Sequence, residues 1–205
     1  MSSNKHHLIV NLLIDNSVLV NELNLSDKIK QLFDELEKVS DECLKLSIHT
    51  YDTFTPKQLK GFDDSDIENI EFDGFPLINE LIKSSVDYTQ QYLIEKNKDE
   101  AFNIFRPWLI ILSSGIGYDQ LDFFEKFQSA NKEWQPVLFP FLMTKKYLSY
   151  ELSKVNQIKP FMVFKDFDFE GFEKWLKQMI KTRLSTPADQ NMTLDKNMFV
   201  GWTEL

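Results

Sequence analysis

The sequence is poor in the residues that form covalent or metal-bound cross-links. It has one cysteine, Cys43, and three histidines among 205 residues. One cysteine cannot form an internal disulfide, and no group of cysteine and histidine has the spacing of a zinc site. Cys43 continues the apolar positions of a helical pattern, so we expect a small buried side chain there. The lack of disulfides is typical of a reducing compartment.

Glycine is also scarce, and the glycine-rich signatures of nucleotide and acyl chemistry are missing. The six glycines form neither the Gly-x-Gly-x-x-Gly turn nor a phosphate loop followed by Lys-Ser or Lys-Thr. There is no Gly-x-Ser-x-Gly nucleophile turn. Ser114 does leave an apolar strand before two glycines, but a serine nucleophile needs a base. His49 lies inside a predicted strand, where a sheet role is expected, so we do not expect an enzyme.

Long apolar runs and a basic surface are absent as well. No run approaches the ~18 residues of a membrane span, and the polar N-terminus does not resemble a signal peptide. The formal net charge is −9, which repels nucleic acid and anionic lipid. We therefore expect a cytoplasmic protein that binds neither nucleic acid nor membranes.

The sequence does contain alternating strand and helix patterns. The nearly continuous apolar run LIVNLLI is typical of a strand buried on both faces of a parallel sheet. Residue spacings predict strands at 8–14, 45–52, 67–72, 108–112, 137–143 and 161–164. They predict helices at 25–43, 76–93, 119–127, 147–155 and 168–182. This order predicts an α/β fold with a doubly wound, mostly parallel, six-stranded sheet and helices on both faces.

The domain organisation follows from the same patterns. Residues 1–183 are predicted to form one domain, because no linker or internal repeat interrupts them. Residues 53–65 contain proline and glycine and read as a loop. Residues 184–205 form a polar tail whose apolar end is expected to fold back on the domain. In doubly wound sheets, ligands bind beyond the carboxyl ends of the strands, so the residues that follow the strands are the candidate site.

Three short motifs follow these strands or begin a helix. They are Asp15-Asn16-Ser17-Val18-Leu19, Gly74-Phe75-Pro76-Leu77 and Ser113-Ser114-Gly115. In order and spacing they resemble the metal-ion-dependent adhesion site (MIDAS) of von Willebrand factor A (vWA) domains. Arg106-Pro107-Trp108 and the helix around Trp175 are similar to the bacterial tellurium-resistance (TerY-like) members of that family. The resemblance covers nearly the whole chain and implies a vWA, Rossmann-like fold.

The family motif is altered at three of its oxygen positions. Asp15 and Ser17 match the family's Asp-x-Ser-x-Ser, but its last serine is Leu19 here. The family's threonine is replaced by Phe75, and its second aspartate by Ser114. Because Mg²⁺ requires nearly octahedral oxygen coordination, we expect a degenerate site with little or no metal binding. Asp15 is equally suited to capping the loop that follows it.

The resemblance implies a protein-binding role. Leu19, Phe75, Ser114 and Tyr118 are the candidate partner contacts, since apolar and aromatic side chains often anchor interfaces. Leu19 and Phe75 are equally suited to filling the empty metal cavity. We expect a non-enzymatic adaptor or scaffold in a tellurium-resistance-like or stress-response system. The implied partner is kinase-like or a phosphatase.

Two alternatives stay open at the level of sequence. The first is a small-ligand or divalent-metal module that keeps weak Mg²⁺ affinity through Asp15, Ser17 and Ser114. The second is a hydrolase that uses Ser114 as its nucleophile. The absence of an obvious base argues against the hydrolase.

Overall fold

The computed structural model describes residues 6–14, 25–39, 43–52, 55–62, 78–96, 103–113, 136–142, 162–164, 168–192 and 202–204. These residues form strands and helices in mixed order, as an α/β fold requires. The strands are β1 (Leu8–Ile14), β2 (Leu44–Asp52), β3 (Thr55–Lys60), β4 (Trp108–Ser113), β5 (Val137–Leu142), β6 (Met162–Phe164) and β7 (Trp202–Glu204). The helices are α1 (Leu25–Val39), α2 (Ile78–Lys96) and α3 (Phe169–Ser185).

The strands form one mostly parallel sheet in the order β3-β2-β1-β4-β5-β6-β7. The five central strands run parallel, and antiparallel β3 and β7 close the two edges. Strand order therefore reverses at β1, the first strand of the chain, which lies between β2 and β4 inside the sheet. The prediction of six strands is wrong, because the described part of the chain contains seven.

The two edge strands explain the error in strand number. β3 lies inside the region predicted as a loop, and β7 lies inside the predicted tail. Both are polar, and an edge strand buries too little surface to need an apolar pattern. Pro56 in β3 is tolerated at an edge, where a missing N–H breaks no second ladder. The strand predicted at 67–72 lies outside the described residues.

β1 has the burial expected of a central parallel strand, since all seven of its residues are buried. Its even-numbered residues share a core cluster with α1 and α3, whereas Ile9 shares a separate cluster with Tyr92 and Leu93 of α2. Successive side chains of a strand point to opposite faces. The two clusters therefore lie on opposite sides of β1.

The core beside α3 is unusually aromatic. Trp175 contacts Phe141 and Phe139 edge-on, with ring centroids 4.8 and 5.5 Å apart. Phe172 contacts Phe141 in the same way at 5.3 Å. Edge-to-face pairs stabilise a core beyond the burial of their area. These ring contacts hold α3 against β5.

The helices differ from the predicted bounds at their ends. α3 extends three residues past the predicted end to Ser185. α1 ends at Val39, and Cys43 instead precedes β2, where its carbonyl accepts a hydrogen bond from the Leu8 N–H (2.8 Å). Cys43 is half-buried, so the expected helical, fully buried position is wrong. The predicted helices at 119–127 and 147–155 lie outside the described residues. No helix in the described segments is both long and apolar enough to cross a membrane.

A salt bridge holds the β3 edge of the sheet. Lys60 is only 2% exposed, and its ammonium lies 2.9 Å from the carboxylate of Glu37 on α1. A buried lysine is tolerated when its charge is paired. This pairing explains how a strand as polar as β3 can be held against the domain.

Truncating the aromatic core should strongly destabilise the fold. Phe172 is fully buried, so Phe172→Ala should lower the free energy of unfolding by about 3–5 kcal/mol. Ile94→Ala is the control, because Ile94 is 61% exposed and its truncation should cost less than about 0.5 kcal/mol. Denaturant unfolding followed by circular dichroism measures both. Equal effects of the two variants would contradict this account of the core.

Candidate functional site

The carboxyl ends of the central strands form the edge at which the candidate site was predicted. β1 pairs in parallel with β4, and Ile14 at the end of β1 lies opposite Leu112. On the other side of β1, Leu13 lies opposite His49 of β2. The strands that precede Asp15 and Ser114 in the sequence therefore end side by side. This arrangement agrees with the predicted order of the motifs.

The predicted site residues themselves lie outside the described residues. This applies to Asp15, Ser17, Leu19, Phe75, Ser114 and Tyr118. Within the described ranges, no group of three or more His, Cys, Asp or Glu side chains could hold a metal ion. The predictions of a degenerate metal site and of partner contacts at these positions stay predictions.

A side-chain hydroxyl of β2 binds the end of β1 close to this edge of the sheet. Thr50 of β2 donates its Oγ1 hydrogen to the carbonyl oxygen of Ile14 over 3.0 Å, and the contact is buried. Ile14 is the last described residue before the first predicted motif. The contact therefore fixes where β1 ends relative to β2. The sequence pattern gave no sign of this role, since Thr50 reads only as an alternating strand residue.

A buried polar network lies deeper in the sheet, centred on Asn11. The Asn11 Oδ1 accepts a hydrogen bond from Ser47 Oγ (2.7 Å). Thr89 Oγ1 lies 3.2 Å from the same oxygen and shares its single hydrogen between it and the Ser85 carbonyl oxygen (2.8 Å). The Asn11 Nδ2 donates over 3.5 Å to the carbonyl oxygen of Trp108. Asn11 and Ser47 are fully buried, where an unsatisfied amide would cost about 1–3 kcal/mol. The network joins β1, β2, β4 and α2.

His49 completes this network as a neutral side chain. Ser47 Oγ lies 2.9 Å from His49 Nε2. Because the single Ser47 hydroxyl proton goes to Asn11, the ring must donate its Nε2 hydrogen to the serine oxygen. Burial lowers the pKa of His49 to about 4, since desolvation disfavours the charged ring. The ring also lies edge-on to Tyr88, with centroids 5.5 Å apart.

The Ser47–His49 pair has the distance of a nucleophile and its base but not the access. The two side chains are 0% and 1% exposed, so a substrate cannot reach either atom. The serine proton is also committed to Asn11 rather than to the ring. His49 is therefore a hydrogen-bonded sheet histidine, as the sequence indicated.

A second concave surface lies at the opposite, amino-terminal edge of the sheet, and sequence analysis missed it. We call it the amino-edge groove. It has a volume of about 890 Å³ and lies between residues that precede β1, β2 and β4, the end of α1, and residues 174–188 of α3 and the chain after it. The groove is lined by His6, Leu36, Cys43, Phe105, Lys174, Lys177, Gln178, Ile180, Lys181, Leu184, Ser185, Thr186, Pro187 and Ala188. Its volume lies in the range of ligand-binding clefts.

Arg183 holds one wall of the amino-edge groove, the segment 186–188 that follows α3. Its guanidinium donates to the carbonyl oxygens of Pro187 (2.9 Å), Gln190 (3.2 Å) and Thr186 (3.4 Å). The same group lies 4.2 Å from the ring centroid of Phe105, within the range of a cation–π contact. Arg183 thereby holds the chain after α3 against the start of β4. The sequence gave one sign of the groove, three lysines on one face of α3.

Comparison with known proteins defines the fold but no family. No protein-family model matches the chain, and a search of curated proteins finds no match. Among solved structures, the ArnB paralog VWA2 from Sulfolobus acidocaldarius has a TM-score of 0.57 and 13% sequence identity over 84% of this chain. Proximal thread matrix protein 1 from the mussel byssus has a TM-score of 0.54 and 13% identity over 90% of this chain. This chain spans 45% and 48% of those two proteins, less than half of either.

A further structure of the mussel protein has the same fold. It is described as having a zinc-occupied MIDAS motif, and it matches 90% of this chain with a TM-score of 0.53 and 14% identity. Sequence identity this low carries only the fold. The chain therefore has a vWA-type fold, as the sequence resemblance implied.

Protonation of His49 should weaken the fold at acid pH. Its pKa is about 4 in the folded chain, against an ordinary histidine pKa of 6.5. Stability is therefore complete above about pH 6.5 and falls as the pH drops towards 4, by up to about 3 kcal/mol. His49→Gln should remove this part of the pH dependence in denaturant unfolding, whereas His6→Gln should keep it. An unchanged slope between wild type and His49→Gln would show that His49 is not the titrating group.

Proposed function

We propose that this chain is a non-enzymatic protein-binding module, an adaptor or scaffold, that works without a bound metal ion. The observation that carries the proposal is its vWA-type fold, in which β1 and β4 end side by side before the altered motifs. Solved neighbours of this fold suggest an interaction or adhesion module. In this sequence Leu19 and Phe75 replace two hydroxyl ligands, and Ser114 replaces a carboxylate.

The replacements favour protein contact over metal coordination. Asp15 would be the single carboxylate left in the motif, and two hydrocarbon side chains cannot replace water in the shell of a divalent ion. Phe75 and Tyr118 instead offer aromatic surface, which is enriched at the centres of interfaces. The buried Ser47–His49 pair supports a non-enzymatic role, because its proton is used within the network.

We also propose the cellular setting that the sequence resemblance implies. The module would act in the cytoplasm of a bacterium, in a tellurium-resistance-like or stress-response system. Its partner would be kinase-like or a phosphatase. The net charge of −9 supports a partner with a basic surface rather than a nucleic acid.

Residual metal binding is the second candidate function. The neighbour with a zinc-occupied MIDAS motif favours it, because Asp15, Ser17 and Ser114 still offer three oxygen groups. Such a site would be weak, since a single carboxylate leaves most of the ion's charge uncompensated.

The two candidates differ in their response to metal. We expect Mg²⁺ or Mn²⁺ to leave the thermal unfolding midpoint unchanged, because a ligand that binds only the folded state would raise it. Asp15→Ala should behave like wild type, and so should the control Asp34→Ala on the exposed face of α1. Micromolar affinity by calorimetry that is lost in Asp15→Ala and kept in Asp34→Ala would replace the proposal with the metal-binding candidate.

Affinity capture of the tagged chain tests the adaptor role itself. Capture from its own cells, with and without chelator, should recover the same stoichiometric partner by mass spectrometry. Phe75→Ala combined with Tyr118→Ala should lose that partner, whereas the exposed Ile94→Ala control should keep it. Loss of the partner on chelation would contradict metal independence, and absence of any partner would contradict the adaptor role.

A further inference from the structure

The amino-edge groove combines an apolar floor with a row of lysines. Lys174, Lys177 and Lys181 occur at intervals of three and four residues on α3, so they share one face of the helix. All three line the groove, beside the apolar side chains of Leu36 and Phe105. The chain has a net charge of −9, so a row of three lysines differs in charge from the protein as a whole. It would attract an anion that the rest of the surface repels.

The middle of the row is already neutralised from within the chain. Lys177 forms ion pairs with Glu35 of α1 and Glu173 of α3. These pairs lower the pKa of the Glu35 carboxyl, mainly through the hydrogen bond from Lys177. Two carboxylates and one ammonium leave one negative charge at the centre. An acidic group placed there would be repelled, so the centre suits an uncharged part of a ligand.

The ends of the row are different. Lys174 and Lys181 are both exposed, and seven residues of helix separate them by about 10 Å along the axis. A ligand that pairs with both lysines must carry two anionic groups about 10 Å apart. A peptide in the polyproline II conformation has three residues per turn and rises about 3.1 Å per residue, so side chains three positions apart lie on the same side of it, about 9 Å apart. A fatty acid has one anionic end and cannot use both lysines.

We propose that the amino-edge groove binds an acidic peptide of a partner protein in the polyproline II conformation, with two acidic residues three positions apart and apolar residues between them. The acidic side chains would lie on Lys174 and Lys181. One of the two apolar residues would lie on the floor between Phe105, Ile180 and Leu184. This proposal rests on the proposed protein-binding function and assigns it a second surface, at the edge of the sheet opposite the altered motifs.

Arg183 makes this surface ready for binding before a ligand arrives. Its three hydrogen bonds to Thr186, Pro187 and Gln190 hold the wall in one position. Thr186 adds a bond of its own, from Oγ1 to the carbonyl oxygen of Thr182 (2.7 Å). Because this segment is already held in place, less conformational entropy is lost when a peptide binds to it.

The direct test is titration of the full chain with a synthetic peptide, acetyl-Gly-Ser-Asp-Leu-Phe-Asp-Ser-Gly-amide, followed by amide chemical shifts. We expect shifts at Phe105, Ala188 and their neighbours. Lys174→Gln combined with Lys181→Gln should weaken binding about fivefold, in line with two exposed charge pairs. The matched control, Lys83→Gln with Lys96→Gln, removes two lysines from α2 and should leave the affinity unchanged.

Two altered peptides separate the parts of the proposal. Replacing both acidic residues by Asn should weaken binding by a similar factor, and replacing Leu by Asp should also weaken it because of the central carboxylates. Absence of shifts at the groove, or equal binding by the double-lysine variant, would overturn the proposal. Shifts at the groove that depend on protein concentration without peptide would do the same, because they would identify a second copy as the occupant.

Failure of the groove proposal can be told apart from failure of the proposed adaptor function. If the captured partner survives chelation but the peptide does not bind, the adaptor role stands and the partner uses another surface. If the peptide binds but no partner is captured, the groove proposal stands and the adaptor role fails.

Discussion

The fold depends on satisfying one buried amide at the centre of its sheet. Asn11 lies in β1, an interior strand of the sheet in which every residue is buried. Its oxygen and nitrogen are shared among Ser47, Thr89 and the Trp108 carbonyl. A polar group in this position is costly unless all its partners are in place. The network therefore fixes the register of β1 against both neighbours and the position of α2 above them.

Register at the centre determines what happens at both edges of the sheet. With Asn11 opposite Ser47 and Leu109, the carboxyl ends of β1 and β4 must end together. Their amino ends, near His6 and Phe105, must begin together as well. The two surfaces proposed to bind partners, one at each edge, therefore rest on the same strands. Rigid strands hold a site more precisely than loops do.

The sequence predicted the elements that bury a continuous apolar surface. β1, β4 and α3 are examples, because their patterns have the period of a strand or a helix. β3 was not predicted, since Lys57 and Lys60 break its alternation and the partner of Lys60, Glu37, lies 23 positions earlier. The amino-edge groove could not be predicted either, because its lining comes from five separate segments. Periodicity describes one element at a time and carries no information on which distant residues meet.

The carboxyl edge can be judged only through the motifs that resemble a MIDAS, and the fold supports their alignment. A vWA-type sheet in which β1 pairs with β4 brings the strands before Asp15 and Ser114 together. What the altered residues do there is the central question, because metal coordination and apolar protein contact make opposite demands on Leu19 and Phe75. Hydrocarbon side chains suit contact, and this difference is the basis of the proposed function.

One measurement tests the metal-independent adaptor most directly. It is the dissociation constant of the purified partner, measured by calorimetry with this chain in saturating Mg²⁺ and again in excess chelator. The account predicts the same constant in both, within about twofold. A constant that is about tenfold or more weaker in chelator, equivalent to about 1.4 kcal/mol, would contradict it and show that a bound metal ion takes part in recognition.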